Sequence, residues 1–333
     1  MPHAYLGRFA FSFAMGPPAD TEEDMTAIKV GLRIQGAKSV YLIAEQLHRA
    51  IWVARDEHQQ RRIIKTAPPS RLKNECSILR RFQGQAAIRQ LVDETTNPSS
   101  LVLEYLDTDM LHESWEGAIQ SSTVREVGWY TLNALAALHE AGFVHTDVKP
   151  DNILVNHGSR GRHYSKIVLA DNGDSVYLPS LLASEEGHVI GAHIFRSPEA
   201  MLNLKWGPPT DIWSFGAMLI SLIWGKGWHI FKPEASEVSI DDETYPLHVL
   251  RRHDRFFGPF PVSYTEIADD ESLTILEWVT QACDKRTPFA LASEQEISRE
   301  DRAFICKVMK LDPRDRPSAK ELLQDEWFAA YRR

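Results

Sequence analysis

His145-Thr146-Asp147-Val148-Lys149-Pro150-Asp151-Asn152 constrains this chain more than any other run of residues. The run is polar, yet Val144 stands directly before it and Ile153-Leu154-Val155 directly after. Apolar residues at both ends anchor a loop and let it aim its polar side chains one way. Upstream, Val124, Val127, Leu132, Leu135 and Leu138 mark one helical face that ends near Gly142. The residue types in the loop suit one chemistry. Asp147 can accept the proton of an attacking hydroxyl, and Lys149 can meet charge developing on phosphoryl oxygens. The amide oxygen of Asn152 can help to hold a hard cation such as magnesium.

The first hundred residues are patterned differently. Tyr41-Leu42-Ile43-Ala44, Ile51-Trp52-Val53-Ala54 and Arg62-Ile63-Ile64-Lys65 are β-branched or aromatic runs separated by polar turns, which predicts three strands. Pro68-Pro69-Ser70 predicts a helix start with Ser70 as its cap, and Leu72, Cys76, Leu79 and Phe82 share one stripe. Residues 88–92 and 101–103 add two strands around the turn-forming Asn97-Pro98-Ser99-Ser100. A five-stranded sheet with one helix results. Beyond Tyr105 the pattern is helical, and Ile212 to Trp224 is apolar enough to form a core helix. The fold class is therefore α+β. Residues 1–40 read as an extension: Tyr5 to Met15 is apolar but interrupted by Arg8, and 17–26 form a linker or surface loop.

Composition narrows the function classes. A formal charge of -9 argues against nucleic-acid binding. Cys76, Cys283 and Cys306 show no paired spacing, which points to a reducing intracellular compartment, cytoplasmic or nuclear. No apolar stretch is long enough to span a bilayer, so no membrane partner is expected. The histidines show no metal-ligand spacing. Nothing in the sequence sets an oligomeric state.

The loop resembles the catalytic loop of eukaryotic protein kinases, H-R-D-L-x-x-x-N, with Thr146 in place of the Arg. Asp171-Asn172-Gly173 resembles the metal-binding D-F-G, and Ser197-Pro198-Glu199 resembles A-P-E. Asp211-Ile212-Trp213-Ser214-Phe215-Gly216 is similar to the family's buried helix start, and Leu311 to Ala319 to its closing segment, where Arg316 would pair with Glu199. Five motifs in order over residues 145–323 make coincidence a poor explanation. The likeness to the cyclin-dependent and SR-protein kinase group, through an insertion at 229–300, is more distant.

The resemblance implies a bilobal fold, with a small lobe at 41–103, a hinge at 104–110 and a large lobe at 111–333. It implies a serine/threonine protein kinase that uses ATP and Mg2+ on a protein substrate. Asp147 would be the base, Lys149 a contact to the transferred phosphate, and Asn152 and Asp171 the magnesium ligands. Lys65 paired with Glu75 would clamp the α- and β-phosphates. Backbone groups of Glu104 and Leu106 would hold adenine between Ile51, Ile63 and Leu154. Each has a plainer reading as a loop carboxylate, a solvated charge or a structural strand residue.

Four departures qualify the resemblance. The glycine-rich loop is replaced by His48-Arg49-Ala50, which forgoes two or three phosphate contacts of about 1.5–3 kcal/mol each. Asn172 stands where the family has an apolar Phe, and an unbonded amide there costs about 1–3 kcal/mol and loosens the link between helix and metal segment. Ala192 stands where a Thr usually bonds the catalytic Asp. Thr146 cannot read a phosphate, so phosphorylation of Ser175, Tyr177, Ser180 or Ser184 is not expected to switch activity through that contact. A pseudokinase scaffold with weak or absent nucleotide binding is the alternative. A small-molecule kinase, whose loop is similar, is a third reading that an Arg316–Glu199 pair would oppose.

Overall fold

The computed structural model describes residues 28–159, 163–179, 190–283 and 285–332. The expectations for residues 1–27, Ser180 and Ser184 fall outside the described residues. The chain divides into two compact units, one running to Thr108 and taking back Leu154–Ser175, the other comprising Asp109–Ile153 and the chain from Val176 onward.

The first unit is built on a six-stranded sheet. Its strands are β1 (Arg33–Gln35), β2 (Val40–His48), β3 (Ile51–Arg55), β4 (Arg61–Lys65), β5 (Leu91–Thr96) and β6 (Ser99–Glu104). Their spatial order is β1-β2-β3-β4-β6-β5, and neighbours pair antiparallel. The sheet has one strand more than the five expected. Only Ile34 of β1 is buried, so three residues carry no readable alternation. Tyr41, Ile43, Trp52, Ala54, Ile64 and Val102 pack as one core cluster, while Ile63 and Leu103 are also buried. Adjacent residues buried along β4 and β6 mean both faces of the sheet are covered. Arg49 and Ala50 alone form the turn between β2 and β3, with His48 opposite Ile51.

Helix α1 (Pro69–Arg81) buries Leu72, Glu75, Cys76, Ile78 and Leu79. It begins a residue earlier than Ser70 predicts, and Ser70 is not its cap. Pro68 is the N-cap without a side-chain bond, because proline has no side-chain acceptor, and Pro69 at the first helical position has no N–H that would need one. Phe82 lies past the last turn as the C-cap. All three cysteines are free, and burial pushes the Cys76 thiol up to about 11.

The second unit is mainly helical: α2 (Met110–Trp115), α3 (Ser121–Glu140), α4 (Pro198–Met201), α5 (Pro208–Trp224), α6 (Tyr245–Phe257), α7 (Asp270–Gln281), α8 (Arg299–Val308) and α9 (Ala319–Leu323). Every residue of α5 from Thr210 to Leu222 is buried. A helix apolar on all sides must be enclosed by others, and α3 and α8 pack against it. At Gly216 a Cβ would stand 2.3 Å from the Met309 sulfur, so the close approach at the end of α8 requires glycine. The residues at 229–300 contribute α6 and α7. Among the described residues, no helix is long and apolar enough to cross a membrane.

Candidate active site

In the helical unit, the loop that carries Asp147 is fastened from below by one buried carboxylate. Asp211, in the first turn of α5, accepts from the backbone N–H of His145 through Oδ2 and of Thr146 through Oδ1, both at 2.8 Å. His139 Nε2, in the last turn of α3, lies 2.9 Å from the same Oδ2. Those bonds hold Thr146 at φ +70, a region that β-branched residues rarely enter. Gly191, at φ +57, lies against the same turn, and a Cβ there would sit 2.5 Å from the Thr146 carbonyl oxygen.

The three loop residues meet as their spacing predicts. Asn152 Nδ2 donates to the Asp147 carbonyl at 2.8 Å and to its Oδ2 at 3.0 Å. Lys149 Nζ ion-pairs with Asp147 Oδ2 at 3.0 Å and Asp151 Oδ2 at 3.5 Å. Both partners of the Asp147 carboxylate fall on Oδ2, which leaves Oδ1 as the oxygen suited to take a proton. Burial works against the Lys149 charge, but Asp147 and Asp151 outweigh it and raise its pKa, so it remains an ammonium. Burial raises the pKa of Asp151.

The segment that follows is pinned to the same core. Arg316 donates to both Glu199 oxygens, at 2.7 and 2.8 Å, with the guanidinium wholly buried. The same guanidinium bonds the carbonyls of Lys310, Pro209 and Leu311 and lies 5.1 Å from the Trp213 ring. This pair is the one expected from the motifs, and it opposes the small-molecule kinase reading. Arg196, which the sequence reading missed, donates from Nε to Ile190 O at 2.6 Å and from Nη2 to Gly191 O at 2.8 Å. Its signal was a basic residue directly before Ser197-Pro198-Glu199. Of the phosphorylation candidates within the described residues, Ser175 is buried and Tyr177 is exposed on a short strand paired with Phe143–Val144.

In the sheet unit, Lys65 closes β4 and is 12% exposed, so it does not face bulk solvent. Its ammonium lies 2.7 Å from Glu75 Oε2 on α1 and 2.7 Å from Asp171 Oδ1. The ten-residue separation of Lys65 and Glu75 thus suffices for the ion pair. Asp171, at φ +58, keeps a 36%-exposed carboxylate. Asn172 behind it is fully buried, and among the described residues neither its Nδ2 nor its Oδ1 has a hydrogen-bond partner.

The expected loosening between α1 and the Asp171 segment is offset by residues that sequence reasoning did not single out. Asn74 Nδ2 donates to Gly173 O at 3.0 Å and Ser175 O at 2.9 Å, and Arg71 pairs with Asp174. At the end of β6, the Glu104 carboxylate pairs with Lys166 at 2.5 Å. Its backbone N–H donates to Gln90 O, and its carbonyl accepts from Arg89 Nε at 3.0 Å and Nη2 at 2.9 Å. Ile63 and Leu106 are buried, while Ile51 and Leu154 are partly exposed. The structure thus brings together Lys65, Glu75 and Asp171 in one unit, and Asp147, Lys149 and Asn152 in the other.

A sheet unit that carries an ion-paired lysine and a helical unit that carries an aspartate loop mark the kinase-like class of folds. The protein kinase domain model matches residues 35–328, and the chain belongs to that family. It is similar to the serine/threonine-protein kinase AFC2 of Arabidopsis thaliana, 25% identical over 259 residues that cover 67% of this chain and 57% of AFC2. A serine/threonine-protein kinase US3 homolog of Cercopithecine herpesvirus 9 is 26% identical over 276 residues, 81% of this chain and 75% of that protein. The chain spans 57% and 48% of the lengths of AFC2 and of the Varicella-zoster virus US3 homolog. A crystal structure of a kinase domain superposes with a TM-score of 0.69 at 18% identity, over 91% of this chain and 98% of that one. That likeness speaks for the fold.

Proposed function

We propose that this chain is a serine/threonine protein kinase that transfers the γ-phosphate of ATP to a protein hydroxyl. The observation that carries this reading is the pair of hydrogen bonds that Asn152 Nδ2 donates to the carbonyl and Oδ2 of Asp147, which orients the carboxylate and turns the amide oxygen of Asn152 away from it. Asp147 orients the acceptor hydroxyl and takes its proton through Oδ1. Lys149, held as a cation by Asp147 and Asp151, neutralises charge on the transferred phosphoryl group. Lys65, set by Glu75, holds the nucleotide phosphates. Ile51, Ile63 and Leu154 flank the base, and backbone groups of Glu104 and Leu106 bond its edge.

The Asn152 amide oxygen and the half-exposed Asp171 carboxylate are hard oxygen donors, and they suit magnesium, which takes few protein ligands and shares its shell with phosphates. When bound, the ion neutralises phosphate charge. Asp147→Asn keeps the bond to Asn152 but removes the base, and it should cut transfer of radiolabelled phosphate to a generic protein substrate by about 10²–10⁴-fold. Equal transfer by the two proteins would overturn the reading.

A second reading, a pseudokinase scaffold, is favoured by the glycine-free turn at Arg49-Ala50 and by the unbonded amide of Asn172. The same assay separates the two. A scaffold shows no Asp147-dependent transfer at any enzyme concentration.

A further inference from the structure

Arg89 does something that the proposed function leaves unused. Glu104 ends β6, and its N–H donates to Gln90 O. In a strand the N–H and C=O of one residue point to the same side. The Glu104 carbonyl therefore also points toward the segment that precedes β5, which starts only at Leu91. Among the described residues no backbone N–H meets it there, and the guanidinium of Arg89 donates two hydrogen bonds to the carbonyl, at 3.0 and 2.9 Å. Burial pulls the Arg89 pKa down to about 10, while Glu75, Glu104 and Asp171 act against that, so the group is a cation near neutral pH.

A carbonyl oxygen has two lone pairs, and two donors of one side chain already converge on this one. The amino group at position 6 of adenine is a donor and needs this acceptor, so Arg89 competes with it directly. A purine with an oxygen at position 6 has the opposite requirement. Guanidinium has five N–H donors, of which two are used, and the remaining three suit the O6 and N7 acceptors of guanine. We propose that Arg89 sets the base preference of the nucleotide site, disfavouring adenine and favouring guanine and other 6-oxo purines. This rests on the reading of Glu104 as the residue that meets the base, and it revises which triphosphate is the better donor.

Calorimetric titration of the full chain with ATP, GTP and ITP in the presence of Mg2+ tests it. The unmodified chain should bind GTP and ITP at least tenfold more tightly than ATP, a comparison that needs no variant. Arg89→Met, which keeps the length but loses every donor, should tighten ATP about tenfold and weaken GTP by a similar factor. Arg89→Lys, which keeps the charge without the paired donors, should fall between them. Lys65→Met should weaken all three nucleotides alike, which ties the binding to this site. An ATP preference in the unmodified chain, or an ATP-to-GTP ratio that Arg89→Met leaves unchanged, overturns the inference while nucleotide binding stands. No binding of any nucleotide to any of the proteins overturns the nucleotide-site reading, and the inference with it.

Discussion

In the helical unit, Asp147, Lys149 and Asn152 bond to one another, and the backbone beneath them is held by a carboxylate that is itself buried and bonded. In the sheet unit, Lys65 is held as firmly by Glu75 and Asp171, but the groups around it are not. Among the described residues Asn172 has no partner for either end of its amide, the β2–β3 turn offers no glycine, and a side chain covers the carbonyl at the end of β6. The difference separates two tasks. Positioning a base and a cation for a phosphoryl group needs side chains fixed in advance. Gripping a nucleotide also needs backbone donors and acceptors left open, and the sheet unit offers fewer of them where its β2–β3 turn has no glycine and Arg89 takes the Glu104 carbonyl.

The comparison is tested most severely at the Arg316–Glu199 pair. Removing one partner of a wholly buried ion pair strands the other charge and costs about 3–5 kcal/mol. Arg316→Ala should lower the stability of the helical unit by that amount in denaturant titration followed by tryptophan fluorescence. Trp52 is the only one of the nine tryptophans in the sheet unit, so this signal reports the helical one. Hydrogen exchange in β2 to β4 should stay as it was. A loss below about 1 kcal/mol would mean that the helical unit is no better fixed than its counterpart.

Asn172→Leu probes the other side with the opposite sign. Leucine shares the branched shape and heavy-atom count of asparagine, and the change removes two buried polar atoms that have no partners among the described residues. It should stabilise the sheet unit by about 1–3 kcal/mol. Slower amide exchange over α1 and over residues 164–175 would report it. Unchanged or faster exchange there would show that the amide is satisfied in solution and that the two units differ less in how firmly they are fixed.

How much of this was legible in the sequence depends on the distance over which each contact is decided. The His145–Asn152 loop was readable because its three functional side chains lie within six residues, and local backbone geometry brings them together. Glu199 and Arg316 lie 117 positions apart, and only the order of the motifs revealed them. Arg89 gave no signal, since Ile88-Arg89-Gln90 looks like part of a strand. Its bond to Glu104 depends on β5 starting at Leu91, and a strand boundary is not visible to within a residue. Asn74 and Arg71 escaped for a related reason. Polar residues on a helix surface are ordinary, and only tertiary packing placed these two against Gly173, Asp174 and Ser175. The strand Arg33–Gln35 was too short to show a period, and Ser70 lost the cap because Pro69 starts a helix without one.

The smallest effect expected is a pH dependence that belongs to the helical unit. His253 is fully buried in T-shaped contact with Trp213 and Phe231, at ring distances of 4.8 and 4.4 Å, and among the described residues neither nitrogen has a hydrogen-bond partner. Burial, with Arg316 and His229 adding to it, holds its pKa well below the ordinary value. Burial likewise pushes His229 down to about 3, with Lys232 contributing. Both are neutral in the folded chain, whereas in the unfolded chain they take up a proton near pH 6.5. Below that pH the unfolded state binds more protons than the folded one, so stability is complete above about 6.5 and falls as the pH drops toward the folded values. At pH 6 each histidine should account for a loss of about 0.8 kcal/mol relative to pH 8. Denaturant titrations read by tryptophan fluorescence at the two pH values measure the total loss. His193, pushed down to about 4 mainly by burial, and His248, lowered by burial, also contribute to it. His253→Leu should reduce that total by its own share of about 0.8 kcal/mol. A variant with the same pH dependence as the parent would place the sensitivity outside this aromatic cluster.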